Sequence, residues 1–177
     1  LAGTVLRLPA VYGPGDAQHR LGPYFWRMED DRPVILMDER QARWRWTHGY
    51  VENVAAATAH AATDPRAADR IYNVGEAKPP TAAERVKDLA RIVGWTGKVV
   101  PLPAGQLPEH LQAPFDWRYE LATDTHRLHD ELGFQLPTPF EEAVRRTATW
   151  ERAQRPADAD RLKNEYAAED ATLRQAP

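Results

Sequence analysis

The sequence has no cysteine. Disulfides, thiolate nucleophiles and thiolate-bound zinc are therefore excluded together. It also lacks any apolar run near the roughly 18 residues that a membrane-spanning helix needs. Charge of one sign is missing as well: 23 Lys and Arg against 26 Asp and Glu leave a formal net charge of −3. That balance gives no electrostatic case for nucleic acid or an anionic membrane as the main partner. No internal repeat is present. No basic-then-apolar signal segment opens the chain, and a cytoplasmic location is expected.

What is present fits an ordinary globular chain. The 177 residues, 42% hydrophobic and 28% charged, suffice for one domain with a real core. The 15 prolines predict many ordered loops between short elements. Thr4 to Leu8 reads as a short buried strand. Pro9 ends its ladder, and Gly13-Pro14-Gly15-Asp16 is concentrated turn chemistry. A strand that runs into such a loop is how open α/β sheets build ligand crevices.

Strand and helix signals then alternate. Arg20 to Asp31 is helical, with Leu21, Tyr24, Phe25 and Met28 on one face. Pro33 to Met37 is an apolar strand. Arg43-Trp44-Arg45-Trp46 alternates at period two, which predicts a strand with both arginines on one face and both indoles on the other. Val51 to Thr63 is an Ala-rich helix, and Arg70 to Gly75 a strand. Thr81-x-x-Glu84 is a capping box that opens a helix stopped by Gly94. Lys98 to Pro101 is a strand, followed by a Pro-rich loop through Pro114. Asp124 caps a helix that carries Leu128 and Leu132 and ends at Gly133. Thr138-Pro139-Phe140-Glu141 predicts a second capping box, with Pro at the first position of a helix through Trp150. Residues 1–155 form one α/β unit on this reading. Residues 156–177, beyond Pro156, are either a peripheral helix or a partly disordered tail, with Leu162, Tyr166 and Leu173 as weak anchors.

Four segments carry a family resemblance. Arg7-Leu-Pro-Ala-Val-Tyr-Gly-Pro14 resembles the Arg-x-x-Asn-x-Tyr-Gly-Pro segment of extended short-chain dehydrogenases/reductases, the NAD-dependent epimerase/dehydratase group. Gly49-Tyr-Val-Glu-Asn-Val-Ala55 resembles their His-Val-x-Asp-Val-Ala stretch, and Ile71-Tyr-Asn-Val-Gly75 their Tyr-Asn-Val-Gly strand. Asp124-Thr-x-Arg127 with Leu132-Gly-Phe134, and a helix ending in Trp150, is similar to their carboxyl-terminal signature. The resemblance implies the late strands of a Rossmann-like, doubly wound parallel sheet plus the small α/β substrate-binding subdomain.

Two of the family's devices do not occur in this sequence. No glycine-rich turn suits a pyrophosphate, since Gly13-Pro-Gly15 lacks a third Gly and holds a Pro in its middle. None of the six tyrosines has a Lys four positions on, so the family's proton-transferring Tyr-x-x-x-Lys is absent. No catalytic residue is therefore assigned. The resemblance starts at the family's late strand, which implies the carboxyl-terminal part of a longer enzyme. The missing amino-terminal half would supply the site for NAD or NADP, and these residues alone would bind the cofactor weakly.

The resemblance also nominates site residues. Leu8, Pro9 and Ala10 would pass the nicotinamide at the strand end. Tyr12 is a substrate-binding candidate that shapes the loop together with Asp16, and His19 and Arg20 follow that loop toward a substrate, as Asp116 would from a later segment. Arg43, Arg45 and Trp46 could bind ligand, Arg through its planar fork and indole through its face. A half-buried strand with a solvated Arg face is the competing reading. Three family anchors for a nucleotide diphosphate are lost or displaced. The substrate-contacting Asn is Ala10; the diphosphate Arg falls on Trp46, with Arg45 one residue early; a second Arg is Ala113, although its companion Asp is present as Asp116. A small sugar, sugar acid or other hydroxyl/carbonyl compound suits such a site better than a nucleotide-sugar. His126-x-x-His129 is read as a solvated helix face, and no metal is expected.

Three functions follow. The first is the substrate-binding portion of an NAD(P)-dependent epimerase, dehydratase or reductase acting on a small substrate, with no membrane or nucleic-acid partner and homodimerisation left open. The second is a non-catalytic dinucleotide sensor or scaffold. The third is a nucleic-acid module built on the Arg/Trp strand, which predicts salt-dependent oligonucleotide binding.

Overall fold

Pro9 divides the start of the chain into two strands with different partners. The computed structural model describes residues 3–113, 115–155 and 159–175. In it β1 (Val5–Arg7) lies parallel to β5 (Ile71–Asn73), with Val5 opposite Ile71. Pro9 has no N–H to extend that ladder, and the chain steps across to a new one. There β2 (Ala10–Tyr12) runs parallel to β4 (His48–Tyr50), Ala10 opposite His48. A third parallel pair joins β3 (Val34–Asp38) to β6 (Lys98–Leu102). The fold is α/β, and its strands form three two-stranded parallel pairs.

Helices make the crossovers that parallel pairing requires. They are α1 (Gly22–Glu29), α2 (Glu39–Arg43), α3 (Val51–Thr63), α4 (Ala82–Val93), α5 (His126–Leu132), α6 (Phe140–Ala153) and α7 (Ala159–Gln175). The period-3.6 faces pack as two clusters. One gathers Leu21, Phe25, Met28, Ile35, Met37, Leu89 and Val144 between α1, β3, α4 and α6. The other packs Val54, Ala57 and Ala61 of α3 against Tyr72, Val74 and Leu128. The Thr81–Glu84 capping box forms as expected, and Gly94 ends α4 in the left-handed region at φ 84°.

Four expectations are corrected. The opening strand is not buried: Val5 is 51% and Leu8 56% exposed, because among the described residues β1 pairs with β5 alone and, of its side chains, Leu6 packs on the second cluster. The strand expected over Arg43–Trp46 is the end of α2 followed by two single-residue bridges, Arg45 with Thr81 and Trp46 with Leu121. Asp38 causes this by accepting from the Arg40 N–H at 2.8 Å, which starts a helical turn. The Thr138–Glu141 capping box does not form. Pro139 takes the cap position, Asn53 holds the Thr138 N–H and C=O at 2.8 and 2.9 Å, and Glu141 pairs with Arg91 instead. Asp124 sits one residue ahead of the Thr125 cap, accepting from the His126 N–H at 2.9 Å. Pro114 and Pro156 lie outside the described residues.

A buried ion-pair cluster is among the contacts that tie α7 to the body. Arg27 on α1 is 4% exposed and donates to Glu169, itself 1% exposed, at 2.5 Å and to Glu165 at 3.2 Å. His110 adds a third contact to Glu169 at 3.0 Å.

Candidate functional site

Beyond the carboxyl end of β5 the chain passes through Val74, Gly75 and Glu76, and there three cavities adjoin. The first, about 270 Å³, is lined by Tyr12, His48, Tyr50, Gly75, Glu76 and Thr138 among others. The second, about 330 Å³, is lined by Arg20, Trp44, Trp46, His48, Arg85 and Trp117 among others. The third, about 260 Å³, lies under the Gly13–Ala17 turn and shares Tyr12 with the first and Arg20 with the second.

His48 is the shared wall of the first two. Its Nδ1 lies 2.8 Å from the Trp46 carbonyl oxygen. A neutral ring donating there keeps Nε2 as an acceptor. Burial, with the Arg85 charge adding to it, pulls the imidazole down to about 4. Glu76 clamps the same strand end: its carboxylate accepts from the His48 N–H at 2.9 Å, and its own N–H donates to the His48 carbonyl at 3.0 Å. Arg85, buried on α4, completes this with an ion pair to Glu76. Burial raises the Tyr12 phenol, so it stays protonated.

Close approach of the backbone makes the clamp fit. A Cβ on Gly49 would lie 2.7 Å from the Pro9 ring, and one on Gly75 (φ 143°) 2.5 Å from Thr47 Cγ2. On the other side Arg20 spans the turn, donating to Asp16 at 2.5 Å and to the Val11 carbonyl at 2.9 Å.

The second cavity is aromatic. The Trp44 ring centroid is 5.6 Å from Trp46, 6.2 Å from Phe115 and 5.1 Å from Trp117. Trp44 Nε1 donates to the Tyr119 carbonyl at 2.7 Å, which holds the 115–119 segment over the cavity. Backbone bonds of Leu121 to Arg45 and Thr47 extend that seam.

Of the residues nominated from sequence, the structure brings Tyr12, Arg20 and Trp46 onto these cavities and places Ala10 against His48. Leu8 and Pro9 precede β2, and Pro9 packs on Gly49 and Gly75. The others point elsewhere. His19 turns to Glu151 at 2.7 Å and stacks on Trp150. Arg43 is exposed at the end of α2, Arg45 donates to the Pro79 carbonyl at 2.7 Å, and Asp116 pairs with Arg118 outside the cavities. His126 and His129 face Asp124 and Asp130. No group of three metal-capable side chains occurs among the described residues. His48, Glu76, Arg85, Trp44 and Trp117 were not nominated, although the period-two spacing of Phe115 and Trp117 echoes Trp44 and Trp46.

A dinucleotide's pyrophosphate does not fit these residues. The Gly13–Gly15 turn closes on itself through Asp16 N–H to Gly13 C=O at 3.1 Å, and α1 starts only at Gly22. α3 follows β4 without a glycine turn, and the capping box already engages the N-terminus of α4.

Residues 1–75 match the NAD dependent epimerase/dehydratase family. No curated protein matches the chain. Among solved structures, the fold is similar to an epimerase from Methanothermobacter thermautotrophicus, at TM-score 0.64 and 16% identity over 87% of this chain and 44% of that one. It is also similar to UDP-glucose 4-epimerase with UDP-glucose from Thermotoga maritima, at TM-score 0.63 and 22% identity over 87% and 47%. A third likeness is UDP-glucose 4-epimerase in complex with NAD from Thermus thermophilus, at TM-score 0.62 and 25% identity over 86% and 47%. The chain spans about half the length of these structures. No helix among the described residues is long and apolar enough to cross a membrane.

Proposed function

We propose that this chain is the substrate-binding portion of an NAD(P)-dependent epimerase, dehydratase or reductase that acts on a small hydroxyl/carbonyl compound. The supporting observation is the clamp at the ends of β1 and β5, where Glu76 fixes His48 beside Ala10 and two cavities open on His48. Ligands of open α/β sheets sit at such strand ends. Leu8, Pro9 and Ala10 would pass the nicotinamide, and Tyr12, Arg20 and Trp46 would face the substrate. The dinucleotide turn and a Tyr/Lys pair would come from residues other than these 177.

The test uses the native protein purified from its source. Added NAD(P)H should slow hydrogen exchange at Leu8–Tyr12 and Gly75–Glu76, and absorbance at the nicotinamide band should change with a panel of small hydroxyl and carbonyl compounds. Cofactor protection without turnover would favour a dinucleotide sensor. Absence of both would overturn the proposal.

A further inference from the structure

The Gly13–Arg20 turn lines the third cavity and puts Arg20 in the wall of the second. Pro14, Gly15, Ala17 and Gln18 are exposed. Three residues of the turn hold left-handed backbone: Gly13 at φ 127°, Gly15 at 90° and His19 at 48°. Glycine takes such angles freely, whereas His19 is strained there. Something must hold it. Its Nδ1 donates to Glu151 Oε2 on α6 at 2.7 Å. Its ring stacks on Trp150 at 5.3 Å and lies tilted against Trp26 at 5.6 Å.

The far end of that contact is a sealed carboxylate. The Glu151 side chain is 1% exposed, and His19 is its sole hydrogen-bond partner among the described residues. A Cβ on Gly22 would lie 2.7 Å from Glu151 Oε2, so the start of α1 closes over it. Burial raises the Glu151 carboxyl, the His19 ring opposes this, and the Asp16 charge adds to it. Asp16 is itself paired with Arg20. Glu29 and Asp30, at the end of α1, are met by Arg152 and Arg155, and the indoles of Trp26 and Trp150 carry no charge. Without His19, Glu151 would be a buried charge with no partner, and taking up a proton relieves it. Opening of the turn and protonation of Glu151 are therefore linked, and acid favours the open form.

We propose that His19 and Glu151 form an acid-released latch that holds the Gly13–Arg20 turn as a lid on the second and third cavities. Shut, the latch keeps His19 in its left-handed conformation. Released, His19 relaxes and carries Arg20 off the cavity wall. The latch acts whatever the cavities bind, so it stands apart from the oxidoreductase reading.

Hydrogen exchange of the full-length protein without added cofactor, corrected for the intrinsic effect of pH, tests it. The amides of Ala17–Arg20 report the turn, and those of α3 are the control. Wild-type protection of the turn should fall more than that of α3 between about pH 6 and pH 4. Glu151→Gln keeps an acceptor for His19 and removes the titration, so the extra fall should vanish. His19→Leu keeps an apolar side chain against the indoles and removes the donor. It should speed exchange of the turn about tenfold at pH 6, the loss of one charge-assisted hydrogen bond. Parallel loosening of the turn and α3 in the wild type, an unchanged rate in His19→Leu, or the same extra fall in Glu151→Gln would each overturn the inference. Should Glu151→Gln not fold, the wild-type comparison of turn and α3 decides alone.

Discussion

At the residue scale, His48 shows how burial decides the behaviour of a group that carries no signal in sequence beyond its neighbours. It is buried, donates to the Trp46 carbonyl, and has its imidazole pulled down to about 4 from an ordinary value near 6.5. The folded pKa is depressed for a base, so the folded state resists a proton that the unfolded chain accepts. Stability is unaffected above about pH 6.5 and falls as pH drops toward 4, by roughly 3 kcal/mol in total. His48→Asn keeps a donor for Trp46 and removes the titration. Urea midpoints between pH 7 and pH 4 should fall less steeply for this variant; parallel curves would refute the assignment. Asn53 is the second case. It stands where the resembling family has Asp, yet it both donates to and accepts from Thr138. Asn53→Asp loses the donor and buries a charge. It should cost about 2 kcal/mol or more in urea unfolding.

At the element scale, legibility followed the range of the interaction. The α4 capping box, the Gly94 stop and the extent of α3 depend on residues a few positions apart, and they were readable. The strand at Arg43–Trp46 was not, because Asp38 starts α2 from outside the period-two pattern. The candidate site divides in the same way. Tyr12, Arg20 and Trp46 lie within recognisable segments, whereas Arg85 and Trp117 reach the cavities only by tertiary folding. The tail showed three weak apolar anchors, but its strongest tie is charged. Arg27 meets Glu165 and Glu169 across more than a hundred residues of chain. Breaking that buried pair with Arg27→Ala should cost about 3 kcal/mol or more. Protease cleavage within α7 should then appear before the rest of the chain is cut. Gly75→Ala adds a backbone case. With φ 143° and a Cβ 2.5 Å from Thr47, it should destabilise by about 2 kcal/mol or more. Gly15→Ala, at φ 90° in open space, should cost about 1 kcal/mol. Equal losses in thermal unfolding would show that the Thr47 approach carries no strain.

At the scale of the whole molecule, the α/β class was legible from alternation, because parallel pairing forces helical crossovers. What the cofactor needs is a different matter. The 177 residues present a strand end but no cradle for a pyrophosphate among the described residues. Nicotinamide fluorescence should therefore report NAD(H) binding weaker than about 1 μM, since roughly 8 kcal/mol exceeds what such a contact supplies. A submicromolar value would mean that a complete dinucleotide site exists in this chain.

The β1–β5 pair has a further consequence, in colloidal terms. Val5, Leu8 and Ile71, the last 44% exposed, leave apolar side chains in solvent on or next to β1 and β5, which have only each other as strand partners among the described residues. An open strand edge of that kind is a template for another strand. With a net charge of only −3, little long-range repulsion keeps two such edges apart. Self-association should therefore grow with the square of concentration and strengthen near the isoelectric point of about 6.1. Val5→Lys would slow it by giving the edge a charge that resists burial.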